Sequence, residues 1–217
     1  TGAGKTEAAL TLVHRLMAAG HADGFYIGLP TMATSNAMYH RVGPLYAKFY
    51  EAGAQPSLAL AHGASGLNQA FVESVIEPQT EDRSYGRDEL SASAQCNAWL
   101  ADNRKRALLA EVGVGTVDQA LLGVLPKHHQ SLRMLGLAGK VLVVDEVHAY
   151  DAYTGGLLQR LLESHARQGG SAVLLTATMP LSLRGALVSA WRRGAEVEPE
   201  KEPDETAFPL ATHVDDA

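Results

Sequence analysis

The sequence predicts a three-layer α/β domain built on a mainly parallel sheet with helices on both faces. Short apolar stretches alternate with longer helix-compatible ones along most of the 217 residues, which is how a doubly wound sheet reads in sequence. The stretch KVLVVDEVHAYD, Lys140 to Asp151, carries four consecutive aliphatic residues near its start, and a strand without polar alternation is one buried on both faces. Glycine and proline punctuate the runs at Gly20, Pro30, Gly169 and Gly170, where elements are expected to stop.

Each element follows from its local pattern. Residues 5–19 place Leu10, Val13 and Met17 at helical spacing ahead of Gly20, and so predict a helix. FYIGLP (25–30) is a short strand ended by Pro30, and residues 32–52 are helix-compatible with a break expected at Gly43 and Pro44. SLALAHG (57–63) is a further strand. Across residues 64–103 periodicity weakens as Ser, Gln, Asn and charged residues accumulate, which predicts an insertion with partial helix around 97–100. RALLAEVGVGT (106–116) is expected as strand and loop, and VDQALLGVL (117–125) as helix. After KVLVV, Leu157, Leu158, Leu161 and Leu162 share one side of a helix stopped by Gly169. SAVLLTAT (171–178) is another strand, and PLSLRGALVSAWRR (180–193) a helix with Pro180 near its start.

Composition narrows the class. With 46% hydrophobic and 19% charged residues the chain reads as an ordinary globular protein, and no apolar run is long enough to span a bilayer. The single cysteine, Cys96, cannot form an internal disulfide, which fits a reducing compartment and gives a cytoplasmic location as the expectation. The sequence opens at Thr1 with no leader pattern, so no signal peptide is expected, and natural residues upstream are. Residues 196–217 hold eight acidic residues against Lys201, a local charge of −7 within a total of −6. That segment, rich in proline as well, is expected to be a linker beyond a domain spanning 1–195. The remainder is close to neutral, so bulk charge argues neither for nor against nucleic acid.

Asp145 and Glu146 follow the apolar strand with no spacer, where charge is most costly to bury. In an open parallel sheet, ligands bind at the carboxyl ends of the strands, and the first six residues, TGAGKT, point to a ligand. Gly4, Lys5 and Thr6 complete the end of a G-x-x-x-x-G-K-[ST] phosphate loop, whose amides and following helix hold phosphates. Thr1, Gly2 and Ala3 form the preceding loop, Glu7 enters the helix, and the leading glycine falls just before Thr1. By average composition a bare G-K-[ST] arises in about one such chain in ten and Asp-Glu-x-His in about one in fifty. Their pairing at a helix start and a strand end makes a nucleotide site the better reading.

The expected ligand is ATP with Mg2+, whose positive field makes carboxylates favourable at the strand end. Thr6 and Asp145 are the expected metal residues, Asp145 through water, with Lys5 on the β and γ phosphates. Glu146 is the candidate to orient or deprotonate the attacking water. A phosphate-loop kinase would share this set, so the class must be decided by the other strand ends.

LPTMATSNAMYHR, VGTVDQALL and TATMP (176–180) each follow an expected strand. In order with TGAGKT and DEVH, they resemble the motifs of the first motor domain of superfamily 2 helicases, a RecA-like P-loop domain. The wording from VGTVDQALL to DEVHAYD is similar to the CRISPR-associated helicase-nucleases of type I interference systems. That resemblance implies an ATP-dependent helicase acting on single-stranded DNA, recruited by a guide-RNA surveillance complex. It places Pro30, Thr31, Gly115 and Thr116 on the DNA backbone, has Thr176 and Thr178 couple hydrolysis to movement, and turns His148 towards a second motor domain. It also implies an HD nuclease domain and an arginine finger on that second motor domain; neither is visible in the 217 residues. One motor domain without its finger is expected to bind nucleotide weakly and hydrolyse it poorly.

Blander readings hold elsewhere. His128 and His129 lack a partner at metal-ligand spacing and read as solvated loop. RKR (104–106) beside Trp99 reads as either a solvated face or a nucleic-acid patch, and Trp191, Arg192 and Arg193 as an amphipathic helix end. Two other functions stay open: another superfamily 2 translocase acting on RNA or duplex DNA, and a nucleotide-dependent interaction module without hydrolysis.

Overall fold

The computed structural model describes residues 4–61, 106–126, 129–198 and 210–214. Thr1, Gly2, Ala3, the expected insertion at 64–103, Arg104, Lys105, His128 and most of the expected linker at 196–217 lie outside those residues. Six α-helices and five strands are numbered here in chain order among the described residues: α1 (Lys5–Ala18), β1 (Gly24–Leu29), α2 (Met32–Val42), β2 (Leu58–Ala61), β3 (Val112–Thr116), α3 (Val117–Leu121), α4 (Gln130–Leu137), β4 (Lys140–Val144), α5 (Ala152–Arg167), β5 (Ser171–Leu174) and α6 (Leu181–Ala195).

The strands form one five-stranded sheet in the order β2-β3-β1-β4-β5, and every pairing is parallel. β1, β3 and β4 are buried along their whole length, so successive side chains enter two separate cores. Phe25, Ile27, Val112, Val114, Val141 and Val143 face α1 and α2. Tyr26, Leu142 and Val144 face the opposite core, which α3, α5 and α6 complete with Ala120, Leu158, Leu161 and Leu187. Each fully buried aliphatic side chain contributes about 1.5–3 kcal/mol, which is why strands without polar alternation settle at the sheet centre. This is the expected RecA-like α/β arrangement, with helices on both faces. No helix among the described residues is long and apolar enough to cross a membrane.

Several boundaries differ from the sequence reading. The 106–116 stretch is not strand from its start: Ala107–Leu109 is a 3-10 turn and pairing begins at Val112. The cause is tertiary, because the buried Lys140 ammonium takes the carbonyl oxygens of Leu108 and Ala110 out of any ladder. Gly115 and Thr116, expected in a loop, are in the ladder opposite Gly28 and Leu29. The helix expected over 117–125 stops at Leu121, and the strand expected over 171–178 stops at Leu174. Helix α4 has no counterpart in the sequence reading. It packs Leu137 into the core and sets Gly136 against Leu108.

Candidate functional site

Because all strands run parallel, their carboxyl ends share one edge, and the expected site residues among those described lie there or in the helix entered by Gly4. Gly4 caps α1 with φ +70, a conformation that costs glycine little and a side-chain-bearing residue more. Lys5 and Thr6 follow, half-buried, in the first turn with exposed Glu7. Glu7 is paired with Arg41 from the end of α2.

Asp145 leaves β4 with its N–H donated to the Gly28 carbonyl at 3.0 Å and its own carbonyl accepting the Tyr150 hydroxyl at 3.0 Å. Its Oδ1 accepts the Glu146 N–H at 2.8 Å. Both backbone bonds fix where the carboxylate begins. Burial is the largest influence on that carboxyl and raises its pKa, and the Glu146 charge adds to the rise. The Glu146 N–H and the charges of Lys5 and Arg41 act in the opposite direction. Lys5, in the first turn of α1, is therefore within electrostatic reach of Asp145.

Glu146 adopts φ 55, one of three non-glycine residues with positive φ among those described. For a residue bearing a side chain this conformation is strained, and such strain concentrates at functional sites. Here it turns the chain from β4 into the 3-10 turn Val147–Ala149. Thr176 has a single hydroxyl proton, which it gives to the Thr178 carbonyl at 2.6 Å. His148 Nδ1 lies 3.1 Å from that hydroxyl oxygen, which has no proton left to give it, and 3.2 Å from Glu146 Oε2. Glu146, His148, Thr176 and Thr178 thus form one polar chain across the ends of β4 and β5.

Pro30 and Thr31 follow β1, and Thr31 caps α2 through a capping box with Thr34. Leu29 stands in register with Thr116, which brings the Pro30 and Thr31 pair beside Gly115 and Thr116. Thr31 is exposed and Thr116 is buried, so the two pairs present different surfaces. Three residues outside the sequence expectation also join the site: Arg41, Tyr150 and Tyr26, whose hydroxyl donates to the Thr116 carbonyl at 2.9 Å. Tyr150 and Arg41 sit inside motif wording, but no periodicity or spacing marks a tyrosine that bonds a backbone carbonyl.

Among the described residues no three or more His, Cys, Asp or Glu side chains cluster as a metal cage. A half-buried carboxylate within electrostatic reach of a lysine fits the mode in which Mg2+ takes one or two protein oxygens and completes its shell with phosphate and water.

No protein-family model matches the chain. The CRISPR-associated endonuclease/helicase Cas3 of Thermus thermophilus is 47% identical over 197 residues, 91% of this chain. That of Escherichia coli is 40% identical over 210 residues, 97% of this chain. The chain belongs to the Cas3 helicase/nuclease family. It spans 21% and 22% of the length of these two Cas3 relatives. The crystal structure of T. fusca Cas3 matches with a TM-score of 0.77 and 38% identity, covering 96% of this chain and 22% of that one. Structures of T. fusca Cas3 with AMPPNP, ATP and ADP also match, as does a chain of a pre-nicking CRISPR RNA-guided surveillance complex.

Proposed function

We propose that this chain is the ATP-binding motor domain of a DNA helicase acting in CRISPR interference, with residues 1–195 as the domain and 196–217 as a linker towards a second motor domain. The observation that carries the reading is the electrostatic reach of Lys5 to Asp145 across the carboxyl edge of the sheet. In this reading the amides of residues 1–6 and the Lys5 ammonium hold the β and γ phosphates, and Thr6 and Asp145 hold the metal, Asp145 through water. When bound, Mg2+ draws charge from the phosphate oxygens and fixes their orientation. Glu146 orients the attacking water and accepts its proton, with its carboxylate held by His148 Nδ1–H. Thr176 passes the state of that carboxylate to Thr178 and the turn after β5. Pro30, Thr31, Gly115 and Thr116 lie on the side proposed to follow the DNA backbone.

Support comes from the nucleotide complexes of T. fusca Cas3 and from the surveillance-complex match. An HD nuclease domain, a second motor domain with an arginine finger, single-stranded DNA and the guide-RNA surveillance complex are the proposed partners of the intact protein. The deciding measurement is ATP hydrolysis by that intact protein with and without single-stranded DNA. DNA should stimulate hydrolysis, Lys5→Ala should remove nucleotide binding, and Glu146→Gln should bind ATP while hydrolysing it at least about 100-fold more slowly. Normal nucleotide binding by the Lys5 variant would refute the phosphate-loop assignment. Unchanged hydrolysis in the Glu146 variant would refute the water-activating role.

A further inference from the structure

Thr116 ends β3 and Asp145 follows directly on β4, two strands that do not touch, with β1 between them. One link is the ladder itself, since Gly115 stands in register with Gly28 and the Gly28 carbonyl accepts the Asp145 N–H. A second link runs beneath the sheet through side chains. Tyr26, fully buried, donates its hydroxyl proton to the Thr116 carbonyl at 2.9 Å, and Tyr150 donates its own to the Asp145 carbonyl at 3.0 Å. Both rings pack on the same core cluster, with Val117, Ala120, Val144 and Val147. They lie within electrostatic range of each other, and both lie within range of Asp118 in the first turn of α3. Burial holds both phenolic protons in place well above neutral pH, so each hydroxyl stays a donor.

We propose that Tyr26 and Tyr150 are a pair of positioning residues that couple the backbone at Gly115 and Thr116 to the backbone of Asp145. Resting on the motor reading above, the pair makes the position of the β3–α3 junction, where DNA is proposed to lie, a determinant of where the Asp145 carboxylate meets the nucleotide. The mechanism is mechanical: each hydroxyl fixes a carbonyl whose residue carries one of the two ligand contacts, and the close-packed core on which both rings rest transmits displacement rather than absorbs it. Gly115 reinforces this, because a Cβ there would stand 2.7 Å from the Tyr26 hydroxyl.

The test uses reciprocity: if DNA biases the nucleotide site, nucleotide must bias DNA affinity by the same factor. A fluorescent single-stranded oligonucleotide is titrated onto the intact protein with and without AMPPNP and Mg2+. In the wild type AMPPNP should change the DNA Kd by at least about fivefold. In Tyr26→Phe and in Tyr150→Phe, which keep the ring and lose only the donor, the change should shrink below about twofold, with each variant still binding DNA and AMPPNP separately. Tyr50→Phe, whose hydroxyl bonds the Asp23 carbonyl at the far end of β1, should keep the full shift. If both Phe variants retain the wild-type shift, the pair has no positioning role. A wild type that binds both ligands with no mutual shift also overturns the pair and leaves the nucleotide site standing. A wild type that binds neither overturns the motor reading, and the pair with it.

Discussion

The ring of Tyr26 fills the space that a side chain on Gly113 would need: a Cβ there would stand 2.6 Å from Tyr26 Cδ2. Gly113 therefore leaves room for a large ring against β3, while Gly115 leaves room for the Ala61 carbonyl of β2 and the Tyr26 hydroxyl. Gly113→Ala should destabilise the domain by about 1–3 kcal/mol through overpacking. Gly156→Ala in α5, where a Cβ meets nothing within 4 Å, should stabilise it by about 0.5–1 kcal/mol. Denaturant unfolding of the two variants separates them, and equal effects would refute the steric account.

Lys140 is buried at the first position of β4, bonded to the carbonyls of Leu108 and Ala110. Burial lowers its pKa to about 8 from 10.5, with nearby Glu111 opposing the drop. Between those values the unfolded chain binds more protons than the folded one, so this residue makes stability rise as pH climbs from about 8 towards 10. Above about pH 10 buried Tyr26 and Tyr150 reverse the trend, because the unfolded chain ionises them first. In Lys140→Met the rise should vanish. Melting temperatures of both proteins from about pH 7.5 to 9.5 decide it; parallel curves would mean that Lys140 is not the titrating group.

Thr31 has two separable roles. Its hydroxyl accepts the Thr34 N–H, and the Thr34 side chain closes the capping box. Thr31→Ala should therefore cost about 1 kcal/mol of stability. Asp is also a good cap, so Thr31→Asp should keep the fold while weakening single-stranded DNA binding by roughly fivefold at low salt through repulsion of phosphate. Unaltered DNA affinity in the Asp variant would remove Thr31 from the proposed DNA surface.

His148 Nδ1 stands between the Glu146 carboxylate, 3.2 Å away, and the Thr176 hydroxyl, 3.1 Å away. With Glu146 as the proposed water-activating residue, His148→Ala should leave ATP affinity within about twofold and slow hydrolysis between about 10- and 100-fold, the sensitivity expected of a misoriented base. Adding Thr176→Val should slow it little further, since the residues act as one chain. Multiplying losses would show that they act independently.

The core strands were legible because their burial on both faces leaves an unbroken aliphatic run: KVLVV needed no context to be read as β4. The place of the acidic pair was legible for a related reason, since an aliphatic run that stops abruptly at two carboxylates marks a strand end. By contrast α4 went unread, because its short run interrupted by Gly136 carries little periodicity of its own, and Gly136 makes sense only against Leu108. The same holds for residues 107–109, an apolar run read as the start of a strand, whose Leu108 carbonyl meets Lys140 more than thirty positions away.

Local chemistry alone determined the alternation of strands and helices, the helix that opens at Lys5 after Gly4, and the placement of Asp145 and Glu146 at a strand terminus. Only the folded chain decided that Tyr26 meets Thr116, that Tyr150 and Gly28 hold the Asp145 backbone, that Arg41 pairs with Glu7, and that His148 joins Glu146 to Thr176. Periodicity is set by neighbours within a few residues, whereas a hydrogen bond between distant residues depends on strand order and register, which no local pattern contains.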